Sequence, residues 1–193
     1  MTRPALLLDR DGVIHVDHAY VHTPEKTDFI EGIFELVAAA NRAGFDVVVI
    51  TNQAGIARGF YSESEFDAYM AWMKDRFAER GATIDAVYYC PHHPTHGIGH
   101  YRATCDCRKP EPGLILRAAE DRGLDLARSI FVGDKSSDMQ AALRAGVGTR
   151  FLLGAETTPP DAPGAKTVDS LAHVMLILGW SAGSRASHPA SGR

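Results

Sequence analysis

The sequence has few cysteines, no long apolar run and no marked excess of charge of either sign. Its 193 residues carry 20 Lys and Arg against 24 Asp and Glu, so the basic surface of a nucleic-acid-binding protein is not expected. No apolar stretch approaches the roughly 20 residues that cross a bilayer, and residues 1–4 do not resemble a signal peptide. We therefore expect a cytoplasmic protein whose partner is neither a nucleic acid nor a membrane.

Length and composition indicate one globular domain. Hydrophobic residues make up 45% and charged residues 23% of the chain, which is ordinary for a folded protein able to bury a full core. The last segment contains mainly Ser, Gly, Ala, His, Pro and Arg. We predict a single domain over residues 1–180 and a disordered tail over 181–193. The modest net charge is compatible with a monomer.

Short apolar runs alternate with segments of helical periodicity. The predicted strands are residues 5–8, 45–50, 86–89, 129–133 and 149–153. The predicted helices are 33–44, 62–80, 111–123, one ending near 146, and 169–178. Ser62 and Glu65 form a capping-box pattern, Asp169 is expected to cap the last helix, and residues 155–166, with three prolines, are predicted to be a loop. The alternation is typical of an α/β, Rossmann-like three-layer sandwich with a central parallel sheet.

Two acids and a glycine follow the first predicted strand directly. Asp9 and Asp11 begin on the same side of the strand, and Gly12 marks a sharp turn. Two converging carboxylates favour a hard cation such as Mg²⁺. The same Asp-x-Asp-Gly pattern opens a calcium-binding EF-hand loop, but no helix precedes it and Tyr20 stands where that loop has Glu. For the pair alone, an ordinary surface turn remains an alternative.

Other predicted strands also end in chemically active side chains. Thr51-Asn52 follows the second strand, Asp134-Lys135 follows the fourth, and Lys109 comes one loop after the third. Parallel strands place their carboxyl ends at one edge of the sheet, where ligands bind. Four separate segments therefore bring acids, oxyanion donors and cations to the same edge.

This set of residues suits phosphoryl transfer. We predict Asp9 as the nucleophile and Asp11 as the general acid and base, with the proton affinity of this like-charged pair raised as a coupled titration. Asp9, Asp134 and the backbone carbonyl of Asp11 would hold Mg²⁺, while Thr51 and Lys109 would hold the phosphoryl oxygens. For Asp138 we favour a helix-capping or orienting role over direct metal ligation.

All three cysteines lie in one segment, in a pattern typical of a metal site. Cys90-x-His92 and Cys105-x-Cys107 are separated by 12 residues and together supply four ligands, the donor set of a closed tetrahedral Zn²⁺ site. His93, His96 and His100 are alternative ligands. Free thiols beside a His-rich loop are the alternative interpretation. With no open position, the zinc would be structural and would brace the segment that carries Arg108 and Lys109.

The motifs as a set resemble the haloacid dehalogenase phosphatase superfamily. The resemblance is carried by Asp9-Arg10-Asp11-Gly12, Thr51-Asn52, Lys109, and Gly133-Asp134 with Asp138. More narrowly, residues 16–22, 51–59, 90–93, 105–110 and 133–135 are similar to the family of D-glycero-D-manno-heptose-1,7-bisphosphate 7-phosphatases. The similarity covers roughly residues 5–153.

The resemblance implies a small-molecule sugar bisphosphate as substrate and removal of its C7 phosphate through an aspartyl phosphate. The product, heptose 1-phosphate, would supply nucleotide-activated heptose synthesis. It implies His92 as the histidine ligand, Arg108 as a reader of the substrate and Lys109 as a stabiliser of the phosphoryl group. Substrate contacts are expected at Asp17, His18, Ala19, Tyr20, Thr51, Asn52, Gln53, Ala54, Arg58, Arg108, Lys109 and Lys135.

One position departs from the family pattern, and two alternatives remain. Ala54 stands where family members often have Ser, so only a backbone contact is expected there. Histidinol-phosphate phosphatases share the aspartate motifs and the zinc ligands, but they usually have a shorter zinc loop and lack the segment containing Arg58. A non-catalytic, zinc-ordered binding protein would show damage to a motif, and all four are intact.

About 40 residues separate Asp11 from Thr51, too few for a large cap domain.

Overall fold

A parallel sheet of six strands forms the centre of the described part of the chain. The computed structural model describes residues 2–155, 157–158, 160–161 and 163–181. The strands are β1 (Ala5–Leu8), β2 (Asp46–Asn52), β3 (Ala86–Cys90), β4 (Ile130–Gly133), β5 (Thr149–Leu153) and β6 (Lys166–Val168). Their order across the sheet is β3-β2-β1-β4-β5-β6, and every neighbouring pair is parallel. The predicted three-layer α/β architecture is confirmed.

Helices cover both faces of this sheet. They are α1 (Ile33–Arg42), α2 (Ala54–Ala57), α3 (Glu63–Ala78), α4 (Gly113–Arg122), α5 (Ser136–Arg144) and α6 (Leu171–Leu178), with short 3₁₀ turns at Pro24–Lys26, Gly99–Tyr101 and Leu126–Arg128. The apolar faces of α1, α3 and α6 pack into one core cluster, and those of α4 and α5 pack into another. Two layers of helices therefore enclose the sheet.

The central strand β1 shows why its sequence is apolar throughout. All four of its residues are fully buried. Leu6 and Leu8 join one core cluster, whereas Ala5 and Leu7 join the other. Successive side chains of a strand point to opposite faces, so a strand covered on both faces needs apolar residues at every position.

The order of the strands reverses at β1, and this reversal determines where a ligand can bind. β1 pairs with β2 on one side and with β4 on the other. In such sheets a crevice opens beyond the carboxyl ends of the two strands at the reversal point. Asp9 follows β1 directly and Asp134 follows β4 directly, so both acids stand at this crevice.

The structure confirms some predicted local features and corrects others. The capping box of Ser62 and Glu65 is present at the start of α3. The predicted loop at residues 155–166 is wrong at its end, because Lys166–Val168 forms the edge strand β6 beside β5. Ser170, rather than Asp169, caps α6, since its side chain accepts the backbone N–H of His173. A three-residue edge strand is too short to give a clear periodic signal in sequence.

The segment between β1 and β2 is short, as expected for a protein without a large cap domain. Among the described residues it contains a 3₁₀ turn and α1 and no further domain. None of the described helices has the length and apolar character needed to cross a membrane. Of the predicted tail at 181–193, only Ser181 is described; residues 182–193 lie outside the described residues, so the division of the chain near residue 180 stays a prediction.

Candidate active site

A buried lysine between two aspartates forms the floor of the crevice. The Nζ atom of Lys109 lies 2.9 Å from Asp9 Oδ1 and 2.7 Å from Asp138 Oδ1, and it donates to the carbonyl of Ile50 at 2.9 Å. All three charged residues are at most 5% exposed. Burial lowers the pKa of Lys109, but Asp138 and Asp9 outweigh this effect and leave the pKa raised. The ammonium group therefore stays charged inside the site.

The same burial weakens the acidity of two of the carboxyl groups. Burial raises the pKa of Asp9 to about 7, and Asp138 adds to the rise although Lys109 opposes it. Burial also raises the pKa of Asp134 to about 6, against the lowering effect of Lys135. Each of these carboxylates is therefore costly to ionise, and a nearby cation would lower that cost.

The donor set at the crevice fits a divalent cation. Asp9, Asp134 and Asp138, which we call the acid cluster, each offer an oxygen. These oxygens lie within 4.8 Å of one another. Asp134 Oδ1 is buried without a hydrogen-bond partner in the described structure. Gly12 permits the approach of Asp134, because a Cβ at this position would lie 2.2 Å from Asp134 Oδ2. Three carboxylates, one of which has an unpartnered oxygen, suit a hard, oxygen-binding ion.

Asp138 takes a larger part in this site than the sequence indicated. Its Oδ2 accepts the backbone N–H of Lys135 at 3.0 Å and caps α5, as predicted. Its other oxygen pairs with Lys109 and belongs to the acid cluster. Asp138 lies only four residues after Asp134, in the first turn of α5, and this short spacing is the signal in the sequence that could have indicated the second role.

The side chain of Asp11 turns away from the acid cluster. Arg10 donates to it twice, from Nε to Oδ2 at 3.1 Å and from Nη2 to Oδ1 at 2.8 Å, and Gln53 Nε2 donates to Oδ2 at 3.1 Å. Burial by itself raises the pKa of Asp11, but the charge and hydrogen bonds of Arg10 outweigh it and hold the pKa below its usual value. The expectation that the Asp9–Asp11 pair rises together is therefore wrong: the pKa of Asp9 rises and that of Asp11 falls.

Residues at the end of β2 form hydrogen bonds with other residues of the site. Asn52 accepts the backbone N–H of Lys109 at 3.0 Å and donates to its carbonyl at 3.1 Å. Thr51 is fully buried, and its Oγ1 accepts a hydrogen bond from Gln53 at 2.8 Å. The strand end thus fixes the position of the lysine and holds a hydroxyl behind the crevice.

Two adjoining clefts open above these residues, with volumes of about 350 and 260 Å³. The first is lined by Asp9, Asp11, Asn52, Arg108, Lys109, Lys135, Ser137 and Asp138. The second is lined by Arg10, Asp11, Asp17, Ala19, Tyr20, Asn52, Gln53, Ala54, Gly55, Tyr61 and Lys135. Most of the residues predicted to contact substrate therefore border one continuous region.

Three predicted substrate residues do not line these clefts: Thr51 is fully buried behind them, and His18 and Arg58 make other contacts. His18 Nε2 lies 2.7 Å from Asp28 Oδ2 on the exposed side of the loop, and the guanidinium of Arg58 stacks over the ring of Tyr20 at 6.0 Å. Arg10, Ser137 and Tyr61 line the clefts but were not among the predicted contacts. No periodicity or spacing marks these three residues, because the fold alone brings them to the crevice.

The predicted zinc ligands converge. Cys90, His92, Cys105 and Cys107 each place a ligand atom within 4.8 Å of the others. The sulfur atoms lie 3.2–3.5 Å apart, much longer than a disulfide bond, and His92 Nδ1 lies 3.5 Å from Cys107 Sγ. Burial raises the pKa of the Cys90 thiol, and a bound cation would stabilise its thiolate. The four residues could hold a metal ion.

The Cys/His cluster contacts the crevice through one arginine. Arg108 Nη1 donates to the backbone carbonyl of His92 at 3.2 Å, and Arg108 also lines the larger cleft. Of the alternative ligands, His93 uses its Nδ1 to accept the backbone N–H groups of Thr95 and His96. The conformation of residues 90–107, which we call the cysteine segment, therefore influences the position of Arg108.

Comparisons with known proteins agree with this geometry. Residues 106–174 match a family model described as HAD-hydrolase-like. The chain is 54% identical over 153 residues to a D-glycero-beta-D-manno-heptose-1,7-bisphosphate 7-phosphatase of Vibrio cholerae, covering 79% of this chain and 82% of the relative. It is 55% identical to a D-glycero-alpha-D-manno-heptose-1,7-bisphosphate 7-phosphatase of Burkholderia mallei, covering 79% of this chain and 81% of the relative.

A solved structure is similar over nearly the whole chain. The D,D-heptose 1,7-bisphosphate phosphatase of B. bronchiseptica, complexed with magnesium and phosphate, superposes with a TM-score of 0.78 at 33% identity. The match covers 91% of this chain and 97% of that structure. With these relatives, the parallel sheet and the acid-lined crevice show that the chain is a phosphatase that belongs to the D-glycero-D-manno-heptose-1,7-bisphosphate 7-phosphatase family of the haloacid dehalogenase-like hydrolases.

Proposed function

We propose that the chain removes the C7 phosphate of D-glycero-D-manno-heptose 1,7-bisphosphate and leaves heptose 1-phosphate for nucleotide-activated heptose synthesis. The observation that carries the proposal is the buried Asp9–Lys109–Asp138 arrangement, with Asp11 lining the same cleft. The nucleophile Asp9, the ammonium group of Lys109 and the general acid Asp11 therefore border one cleft. Relatives acting on this sugar bisphosphate at 54% and 55% identity support the choice of substrate.

The first half of the reaction is transfer of the phosphoryl group to Asp9. A carboxylate oxygen of Asp9 attacks phosphorus, and the bond between phosphorus and the sugar oxygen breaks. The electron pair of that bond passes to the sugar oxygen, which takes a proton from Asp11. Lys109 and the hydroxyl of Thr51 neutralise charge on the phosphoryl oxygens during the transfer.

The protonation state of Asp11 depends on the substrate. In the substrate-free structure Arg10 keeps its pKa low, so the carboxylate form prevails. A bound dianionic phosphate repels this carboxylate and raises its proton affinity. Asp11 thus acquires its proton together with the substrate and can then act as an acid.

The second half of the reaction frees Asp9. Asp11, now a carboxylate, takes a proton from a water molecule whose oxygen attacks the phosphorus of the aspartyl phosphate. The bond between phosphorus and the Asp9 oxygen breaks, which regenerates the carboxylate and yields inorganic phosphate. The proton lost by Asp11 in the first half is replaced in the second.

Mg²⁺ fits the acid cluster, and we propose Asp9, Asp134 and the backbone carbonyl of Asp11 as its ligands. Asp138 would orient the site, since its Oδ1 pairs with Lys109 and its Oδ2 accepts the backbone N–H of Lys135. When bound, the ion offsets the repulsion between the carboxylate nucleophile and the phosphate dianion. The magnesium and phosphate in the B. bronchiseptica relative support this assignment.

Zn²⁺ is the ion we propose for Cys90, His92, Cys105 and Cys107. Three thiolates and one imidazole leave no open position on a tetrahedral ion, so its role would be structural. Ordering of this segment would hold Arg108 through the His92 carbonyl. Thiols kept as metal ligands are typical of a reducing compartment, which supports a cytoplasmic location.

Arg108, Lys135 and the loop at residues 17–20 are the proposed contacts to the rest of the substrate. Lys135 is half exposed and pairs with Asp17 at 3.1 Å across the cleft, so it can reorient towards an anionic group. Tyr20 is 39% exposed and packs edge-on against Phe60 with a ring separation of 4.8 Å. Cations and an aromatic wall suit a phosphorylated sugar.

The test is phosphate release in the presence of Mg²⁺ from both anomers of heptose 1,7-bisphosphate, beside fructose 1,6-bisphosphate and histidinol phosphate. We expect a strong preference for one heptose anomer, which would also assign the α or β series. Preference for histidinol phosphate would refute the heptose assignment while leaving the Asp9 mechanism intact. Turnover of none of them would favour a non-catalytic binding protein.

Two further measurements accompany this assay. An acid-quenched reaction analysed by mass spectrometry should show phosphate attached to the peptide that contains Asp9, and Asp9→Asn should abolish both the adduct and turnover. Light scattering after size-exclusion chromatography should give the mass of the 20.9 kDa monomer that we propose. A dimer would contradict that assignment without affecting the chemistry.

A further inference from the structure

The carboxylate of Asp11 is held on two sides by donors that belong to different segments. Arg10 is fully buried and donates to both oxygens, while its guanidinium lies 5.4 Å from the ring centre of Phe66. Gln53 donates to Oδ2 from the end of β2. Because a carboxylate only accepts hydrogen bonds, donors on two sides fix the direction in which it points.

The orientation of the Gln53 amide is determined by its three partners. Its Nε2 donates both to Asp11 Oδ2 and to Thr51 Oγ1, at 3.1 and 2.8 Å. Its Oε1 accepts the hydroxyl hydrogen of Tyr61 at 2.6 Å. Were the amide rotated by half a turn, Oε1 would face the Asp11 carboxylate and repel it. Tyr61 supplies the donor that keeps the amide in the favourable orientation.

Tyr61 is itself rigidly placed. Its side chain is 4% exposed, and the ring of His22 stacks on it at 4.5 Å with an interplanar angle of 19°. Gly55 makes room on another side, since a Cβ there would lie 2.2 Å from Tyr61 Cε1. A ring confined in this way aims its hydroxyl at a single acceptor.

We propose that Tyr61 is a positioning residue that acts through the Gln53 amide to aim Asp11 at the oxygen of the leaving group. This inference rests on the proposed function, because it requires Asp11 to protonate the departing sugar oxygen. An alkyl alcohol is a poor leaving group and needs that proton as the bond to phosphorus breaks. A nitrophenolate leaves readily without it, so an aryl phosphate is insensitive to the aim of the acid.

The experiment compares two substrates, heptose 1,7-bisphosphate and p-nitrophenyl phosphate, for each variant. The readout is the ratio of their kcat/KM values, which reports the steps up to phosphoryl transfer. Loss of phosphoryl binding or of Mg²⁺ lowers both values and largely cancels in the ratio. We expect Tyr61→Phe to lower the ratio about tenfold, and Asp11→Asn to lower it about 100-fold or more.

A second variant tests whether Tyr61 acts through Gln53. Gln53→Met removes the amide while keeping the length of the side chain, and it should lower the ratio about as much as Tyr61→Phe. Residues that act as one unit give non-additive effects, so the double variant should match Gln53→Met alone.

Tyr69→Phe is the matched control. Tyr69 is 3% exposed and lies near Arg10, but its hydroxyl bonds to Thr27 Oγ1 at 2.6 Å instead of to Gln53. Its removal deletes a buried hydroxyl and keeps the ring, so the ratio should stay unchanged even if the melting temperature falls. A merely structural effect of Tyr61→Phe would look the same as this control.

Each outcome decides one point. An unchanged ratio in Tyr61→Phe, with a lowered ratio in Asp11→Asn, would overturn the inference and leave the proposed function standing. A further loss on adding Tyr61→Phe to Gln53→Met would overturn it as well, because Tyr61 would then act directly. An unchanged ratio in Asp11→Asn would refute the acid role of Asp11 and the inference with it.

Discussion

Asn52 and Lys109 hold each other through two reciprocal hydrogen bonds. The Asn52 side chain accepts the Lys109 backbone N–H at 3.0 Å and donates to the Lys109 carbonyl at 3.1 Å. This pair joins the end of β2 to the loop that follows the cysteine segment. The backbone of the buried lysine is therefore fixed independently of the ion pairs that its Nζ makes with Asp9 and Asp138.

Asn52→Asp removes one donor from this pair and sets a carboxylate against the Lys109 carbonyl. We expect the free energy of unfolding to fall by about 1–3 kcal/mol and kcat/KM to fall at least about tenfold, because the lysine is displaced. Denaturant unfolding and steady-state kinetics measure the two effects.

Asn41→Asp is the matched control for that variant. Asn41 makes the same reciprocal pair with the backbone of Thr83, at 3.1 and 2.8 Å, on the surface away from the crevice. It should lose some stability and keep full kcat/KM. Equal losses of kcat/KM in the two variants would show that the pair matters only for stability.

Gly12→Ala should disturb the metal site specifically. The added Cβ would lie 2.2 Å from Asp134 Oδ2, so that carboxylate must move. We expect the dissociation constant for Mg²⁺ to rise about tenfold or more, measured by isothermal calorimetry on substrate-free protein, because one ligand is displaced.

Gly44→Ala separates this effect from backbone strain. Gly44 has φ of +80°, close to the +87° of Gly12, but a Cβ there meets nothing within 4 Å. Both variants should lose about 1 kcal/mol of stability from the positive φ, while Gly44→Ala keeps its Mg²⁺ affinity. Unchanged Mg²⁺ affinity in both variants would contradict the placement of Asp134 among the ligands.

Removal of the Zn²⁺ that we propose for the cysteine segment should lower activity even when Mg²⁺ is saturating. Without an ion the four ligands no longer hold the segment together, and Arg108 loses its fixed acceptor at the His92 carbonyl. The measurement is kcat/KM of protein that elemental analysis shows to be zinc-free, followed by addition of Zn²⁺ to restore it. A full rate in the zinc-free protein would contradict the role of the segment in positioning Arg108.

Mg²⁺ affinity should fall as the pH falls below 7. Burial and Asp138 raise the pKa of Asp9 to about 7 in the metal-free protein, so at lower pH a proton must leave before the ion binds. Competition with the proton on Asp9 weakens binding about tenfold between pH 8 and pH 6, and Asp134, whose pKa burial raises to about 6, adds about a further factor of two. Calorimetry without substrate should also show protons released on binding at pH 6. An affinity that does not change over this range would contradict the raised pKa.

The sequence was sufficient for the features that depend on local pattern. The apolar run of β1 predicted a strand buried on both faces, and the acids that follow it predicted the edge at which the crevice lies. The spacing of Cys90, Cys105 and Cys107 predicted a convergence of ligands, and the resemblance to the family selected His92 among the nearby histidines. These features follow from strand periodicity, from alternation of strands and helices, and from ligand spacing, all of which are properties of neighbouring residues.

The sequence was insufficient to predict the orientation and the pKa of the buried acids. Strand alternation predicts that the side chains of Asp9 and Asp11 point to the same side. In the structure, Asp9 contacts Lys109 whereas Asp11 contacts Arg10. Their pKa values consequently move in opposite directions. The turn at Gly12 and the partners that arrive from β2 and from the loop at Lys109 separate the two acids, and no spacing in the chain encodes those partners.

The sequence by itself determined the class of fold, the edge of the sheet that carries the chemistry, and the three cysteines of the cysteine segment. Only the tertiary structure decided that Asp138 pairs with Lys109, that His18 and Arg58 turn to other partners, and that Tyr61 reaches Gln53. The physical reason is that strands and ligand spacings follow from local pattern, whereas the orientation and pKa of a buried side chain depend on donors and charges distant in the chain.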